Sequence, residues 1–143
     1  MRSQFATSFF SIFAAGILKL KFMKNAHDQI KVGRLKMTIA RQINRKCADI
    51  YLTSNYLKHI QRRHKKELEQ LGFSALDFVK AVVKGYNQIR QGSGNSILLI
   101  IFNGNLHYTA GIDMCLLGDH WEVKTAEPRK TEDILKRKLL WEK

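Results

Sequence analysis

The sequence predicts an α+β domain in which helices are segregated from a small antiparallel sheet. Two patterns predict it: apolar residues recur at three- and four-residue intervals over about residues 54–89, and apolar or alternating runs divided by tight-turn dipeptides follow over about 96–126. Length agrees, because 143 residues make one domain with a single core.

Residues 1–22, MRSQFATSFFSIFAAGILKLKF, hold an apolar run from Phe9 to Leu18. It falls short of the roughly 18 residues that a membrane span needs, so no stable span is expected. Arg2 ahead of the run and the small residues Ala14, Ala15 and Gly16 are also what a signal peptide would carry. Two other readings stay open: a start at Met23, and an amphipathic helix that packs on the domain or on a partner. From Lys19 to Lys46 the chain has nine Lys/Arg and one acid, Asp28, which reads as a basic arm. Residues 1–47 are therefore expected to be an extension and residues 48–143 the folded domain.

Asp49–Thr53, DIYLT, alternates Ile50 and Leu52 with polar neighbours and predicts a strand. Ser54 or Asn55 can cap the helix that follows, in which Leu57, Ile60, Leu68 and Leu71 keep helical spacing until Gly72. Ser74 and Asp77 open a second helix through Phe78, Val82 and Tyr86 to about Ile89, and Gln91–Asn95 forms a glycine-rich loop. Ser96–Phe102, SILLIIF, is apolar on both faces, as a covered strand is. Asn103-Gly104 turns it into a partner strand over Leu106–Leu117. Gly118-Asp119 makes a second turn into His120–Ala126, which Pro128 stops. Thr131–Trp141 then predicts a closing helix from Ile134, Leu135 and Leu139.

Twenty-five Lys/Arg against twelve Asp/Glu leave a formal charge of +13, while 45% hydrophobic residues argue against disorder. The expected partner is a polyanion, most commonly nucleic acid, though charge alone says nothing of chemistry. Cys47 and Cys115 are isolated, which gives little support to a zinc ribbon or a disulfide framework and points to a reducing compartment; the expected site of action is the cytoplasm.

The most informative stretch is YLKHIQRRHKK, residues 56–66. His64 falls on the stripe Leu57, Ile60, His64, Leu68, Leu71 and should point inward. His59 and Arg63 are neighbours on one face, and Lys58 and Arg62 form a parallel pair. RNA cleavage by internal attack needs a base for the 2′-OH proton, an acid for the leaving oxygen and cations for the phosphorane. Two histidines and an arginine can supply these without a metal or cofactor, and none is expected. A plainer reading makes His64 a satisfied core histidine and Arg62, Arg63, Lys65 and Lys66 a solvated face. Zinc is disfavoured, since the five-residue histidine spacing is off the H-x-x-x-H register and neither cysteine shares that helix.

Strand alternation places Trp121, Val123 and Thr125 on one face, with Thr125 turned towards the helix, and His120, Glu122 and Lys124 on the other. The Thr125 hydroxyl and Lys124 can hold a phosphate, and Asn95 and Ser96 close a loop whose small polar groups can approach RNA. Tyr56, Tyr86 and Trp121 can stack bases, although burial is the commoner reason for aromatics at such spacing.

In order, YLKHIQRRHKKELEQLG, DFVKAVVKGYNQIRQGSGNSILLI, WEVKTAEP and KLLW resemble the phage-associated Barnase/EndoU/colicin/RelE-like nucleases. The resemblance covers about residues 48–141 and leaves out the N-terminal extension. It implies helices on an antiparallel sheet of about four strands, and metal-independent endoribonuclease activity on tRNA or mRNA that leaves a 2′,3′-cyclic phosphate. It also implies a toxin or prophage effector, delivered into a target cell and neutralised by an immunity protein or antitoxin. By motif position it makes His59, Arg63, His64 and Thr125 catalytic, with Lys124 beside them. Lys58, Arg62, Lys65, Lys66, Asn95 and Ser96 would then bind RNA. The alternative is a non-catalytic RNA- or DNA-binding domain whose basic helix only tracks phosphates. A third reading, a structural or secreted prophage protein, would use the apolar N-terminus to dock on a membrane or partner.

Overall fold

The computed structural model describes residues 28–143, which fold around one sheet. β1 (Gln29–Arg34) and α1 (Met37–Gln42) lead into β2 (Asp49–Thr53), then α2 (Ser54–Gln70) and α3 (Ala75–Gly85). β3 (Gln88–Gln91), β4 (Ile97–Ile101), β5 (Leu106–Met114), β6 (Trp121–Lys130), α4 (Thr131–Leu135) and β7 (Leu139–Glu142) complete the chain. The seven strands run in the order β1-β2-β6-β5-β4-β3-β7. All neighbours are antiparallel except β2 and β6. Residues 1–22, with their apolar run, and the start of the basic arm lie outside the described residues.

The α+β class stands, but the expected small antiparallel sheet of about four strands is corrected to a mixed sheet of seven. Three strands account for the difference. β1 comes from the stretch read as a basic arm: it pairs with β2, and its Val32 and the following Leu35 are 2% and 0% exposed. Its lysine and arginine face water, and Arg34 pairs with Asp49 across the ladder at 2.8 Å. β3 was hidden because Gln88 and Arg90, on the side opposite the core residue Ile89, are polar yet buried. Arg90 donates through Nε to the Gln88 side chain at 3.0 Å and through Nη1 to the Arg137 carbonyl at 2.8 Å, so these buried donors are paired. β7 takes the end of the predicted closing helix, since a four-residue apolar run fits either period.

The boundaries moved for local reasons. Thr53, one residue before the expected caps, closes α2 by accepting from the Tyr56 N–H at 3.2 Å. Ser74 caps α3 as expected, accepting from the Asp77 N–H at 3.1 Å, but α3 ends at Gly85 so that β3 can start. Pro128 lies inside β6 and does not end it. β2 pairs with β6 only at Trp121 and Glu122, so the outer side of β6 is free where the proline lacks its N–H.

One face of the sheet carries α2 and α3. Ile60 and Leu68 of α2, Phe78, Val79 and Val82 of α3, and Ile97, Leu99, Ile112, Val123 and Ala126 of the strands share the main core. β1 passes so close to α3 that a Cβ on Gly33 would overlap the Val83 side chain, which requires glycine there. The opposite face has a smaller apolar cluster, Leu98, Ile100 and Ile134, covered by α4. No helix among the described residues is long and apolar enough to cross a membrane.

His107, fully buried on that second face, ties the β4–β5 turn to α4. Its Nδ1 accepts from the Asn103 N–H at 3.0 Å, so its proton sits on Nε2 and is donated to Thr131 Oγ1 at 2.8 Å. Its ring stacks on Phe102 at 3.9 Å. Burial pushes its pKa below the ordinary value, so the unfolded chain takes up the proton more readily than the folded one. This stability is therefore full above about pH 6.5 and is lost as pH falls through the depressed folded value. Melting curves from neutral pH down to about pH 5 should show wild type losing more stability than His107→Gln, whose amide bonds without titrating. Equal losses would show that His107 is not the acid-sensitive group.

Candidate functional site

β2 runs directly into α2 with no linker, so the first turn of α2 is set rigidly beside β6. The parallel pairing of β2 with β6 covers only Ile50 with Trp121 and Tyr51 with Glu122. Where it stops, a cleft of about 450 Å³ opens, lined by Asn55 and Tyr56 of α2, Cys115 and His120 of the β5–β6 turn, and Glu122 and Lys124 of β6.

A β-bulge sets the chemistry of β6. Gly111 pairs with Thr125 but Ile112 pairs with Val123, so Lys124 is the extra residue. Bulges re-aim side chains, and here the ammonium of Lys124 lies 4.4 Å from the centre of the Tyr56 ring. It also pairs with Glu122 at 2.9 Å. Partial burial works to lower the Lys124 pKa, but the hydrogen bond and charge of Glu122 prevail and hold it above its ordinary value. Burial likewise works to raise the Glu122 pKa, and Lys124 first, then His120, bring it below the usual carboxylate range.

The same bulge turns Thr125 away from the helix. Its methyl group and Leu98 are what a Cβ on Gly111 would meet, and Leu98 belongs to the second face. Ala126 takes the core position instead. The expected alternation, with Thr125 towards α2, is thus corrected by one inserted residue. The Thr125 hydroxyl instead donates to Glu127 at 3.4 Å.

The residues of α2 divide by face. His59 sits edge-on to Tyr56, ring centres 6.4 Å apart, and the same Tyr56 ring carries the Lys124 ammonium. His64, with its side chain 14% exposed, has Nδ1 2.8 Å from Glu67 Oε1. A five-residue step turns about 140° round a helix, so the two imidazoles do not share a site. Lys58, Arg62, Arg63, Lys65 and Lys66 are all exposed. None makes an ion pair among the described residues. Asn95 is exposed in the β3–β4 loop, and Ser96 closes that loop by donating to the Ser93 carbonyl at 2.6 Å. Of the aromatic candidates, Trp121 is 2% exposed and its indole donates to the Lys46 carbonyl at 2.9 Å. Tyr86 packs on Trp141, which leaves Tyr56 as the aromatic in the cleft.

Sequence reasoning missed Cys115, Asp119, His120 and Glu122. They were read as strand end, turn and strand. The signal was there as a thiol, an imidazole and two carboxylates gathered around one tight turn. Their side chains touch: Cys115 Sγ–H donates to Asp119 Oδ1 at 2.9 Å, and His120 Nδ1 lies 2.7 Å from the same oxygen. Burial works to raise the Asp119 pKa, but hydrogen bonds from Cys115 and His120 outweigh it and leave the group below its ordinary value.

No family model, curated protein or solved structure matches the chain.

Proposed function

We propose that the chain is a metal-independent endoribonuclease that binds RNA along the exposed face of α2 and cleaves it beside Tyr56, with tRNA or mRNA as substrate. The observation that carries this reading is Tyr56, which has the His59 imidazole edge-on to its ring and the Lys124 ammonium over it, and which lines a cleft together with Lys124. A base can stack on Tyr56. His59 takes the 2′-OH proton, and the 2′-oxygen bonds to phosphorus. The 5′-oxygen leaves with a proton from solvent, giving a 2′,3′-cyclic phosphate. Lys124, with Arg63 one turn beyond His59, stabilises the phosphorane charge. The motif resemblance supports the same reaction, and with it a toxin-like role opposed by an immunity protein or antitoxin.

The test is incubation of total tRNA and a model mRNA with the protein in EDTA, followed by analysis of the product ends. Cyclic phosphate ends support the reading, and RNA that is bound but intact overturns it in favour of a non-catalytic binding domain. That second reading draws on the separation of His59 from His64, which denies the site a paired acid and base.

The unpaired cations of α2 make a further expectation. Log affinity for single-stranded RNA should fall with log salt by about 0.7 per neutralised phosphate. The Arg62→Gln/Arg63→Gln double variant should therefore lose up to about 1.4 from that slope. An unchanged slope in filter binding would place the RNA elsewhere.

A further inference from the structure

We infer that Cys115, Asp119 and His120 form a binding site for a divalent metal ion of the zinc class at the rim of the cleft. All three belong to the turn between β5 and β6. Its backbone is closed by the Cys115 N–H on the His120 carbonyl at 3.0 Å and the Gly118 N–H on the Cys115 carbonyl at 2.9 Å. Gly118 takes the left-handed conformation, φ 71°, that the turn requires. Lys46 reaches across from before β2 to hold the Gly118 carbonyl. The three ligand atoms all lie within 4.8 Å of one another.

The donor set is the one zinc takes: a thiolate, an imidazole and a carboxylate. Tetrahedral bonds of about 2.0–2.3 Å place ligand atoms about 3.3–3.6 Å apart. The Cys115 Sγ to His120 Nδ1 spacing, 3.4 Å, already matches. Asp119 stands closer to both, and its side chain, 63% exposed, is free to swing back into place.

A second observation points the same way. The other nitrogen of His120, Nε2, lies 3.2 Å from Glu122 Oε2, while Lys124 holds the remaining oxygen of Glu122. A neutral imidazole has one N–H. In the tautomer that donates to Glu122, the Nδ1 lone pair is turned towards Asp119 and Cys115, where a metal ligand must point. A carboxylate behind a ligating histidine is the usual outer support of a metal site. Tyr51 fixes the ring plane, edge-on at 5.1 Å. Three protein ligands leave a fourth position, and because Cys115 and His120 both line the cleft, it opens there to water or substrate.

The site does not depend on the ribonuclease reading, and metal binding is measured without RNA. Untagged full-length protein is titrated with Co2+, the spectroscopic stand-in for Zn2+. One equivalent should raise a thiolate-to-cobalt charge-transfer band, bleached by added Zn2+. Cys115→Ser should lose the band while Cys47→Ser keeps it, and Glu122→Gln should weaken Co2+ binding about 10–100-fold. Native mass spectrometry of the zinc-loaded wild type should find one bound ion. No band with wild type, or a band that persists in Cys115→Ser, overturns the site. Melting curves of the metal-free variants separate loss of ligand from loss of fold. Cleavage lost in EDTA while the cobalt band forms would overturn the metal-independent ribonuclease and leave the metal site standing. Cleavage intact in a protein that binds no cobalt would do the reverse.

Discussion

His59→Ala should slow RNA cleavage by about 10²–10⁴-fold, the usual worth of a positioned proton-transfer group, while leaving the melting temperature near that of wild type. His59 is half-buried on α2, and its side chain makes no hydrogen bond among the described residues, so the fold does not lean on it. His64→Ala should behave oppositely. Its ring is mostly covered and bonded to Glu67, and its removal should lower stability by about 1–2 kcal/mol with a smaller effect on rate. Thr125→Val should cleave at close to the wild-type rate, because the bulge at Lys124 turns that hydroxyl to the far face of the sheet. Single-turnover cleavage of tRNA in EDTA, with a melting curve for each variant, separates these outcomes. A His59→Ala protein that cleaves normally would remove His59 from its role, and a Thr125→Val protein as crippled as His59→Ala would return Thr125 to the site.

The fragment 48–143, which is the domain expected from the sequence, should fail to fold cooperatively. It lacks β1 and α1, and with them Val32, Leu35 and Ile43, which are 2%, 0% and 7% exposed. Burial of such side chains stabilises by about 1.5–3 kcal/mol each, or about 5–9 kcal/mol for the three. Whole domains hold only about 5–15 kcal/mol in reserve. The cut would also bare the edge of β2, which then invites association through its unpaired backbone groups. Full-length Leu35→Ala provides the milder form of the test, with an expected loss of about 2–5 kcal/mol in urea. A fragment that melts in one sharp step near the wild-type temperature would return residues 28–47 to the status of an arm.

Legibility followed the physical origin of each element. α2 and α3 were readable because each buries a face of its own apolar side chains at a regular period, and β4 because a short apolar run covered on both faces is the mark of an inner strand. β1 and β3 were not, since one has a single buried residue in a basic run and the other flanks its one core residue, Ile89, with the buried polar Gln88 and Arg90. At the site, the charge of α2 and the inward placement of His64 could be read from helical spacing alone. The neighbours of His59 could not: Lys124 reaches Tyr56 only because of one inserted residue in β6.

By itself the sequence determined the class of the domain, the basic face of α2 and the stripe that carries His64, because these rest on the spacing of residues within one element. Only the tertiary structure decided the seven-stranded mixed order, the reversal of Thr125, and the meeting of Cys115, Asp119, His120 and Glu122. Those depend on strand register and on a bulge, and one residue of register exchanges the two faces of a strand without changing its composition.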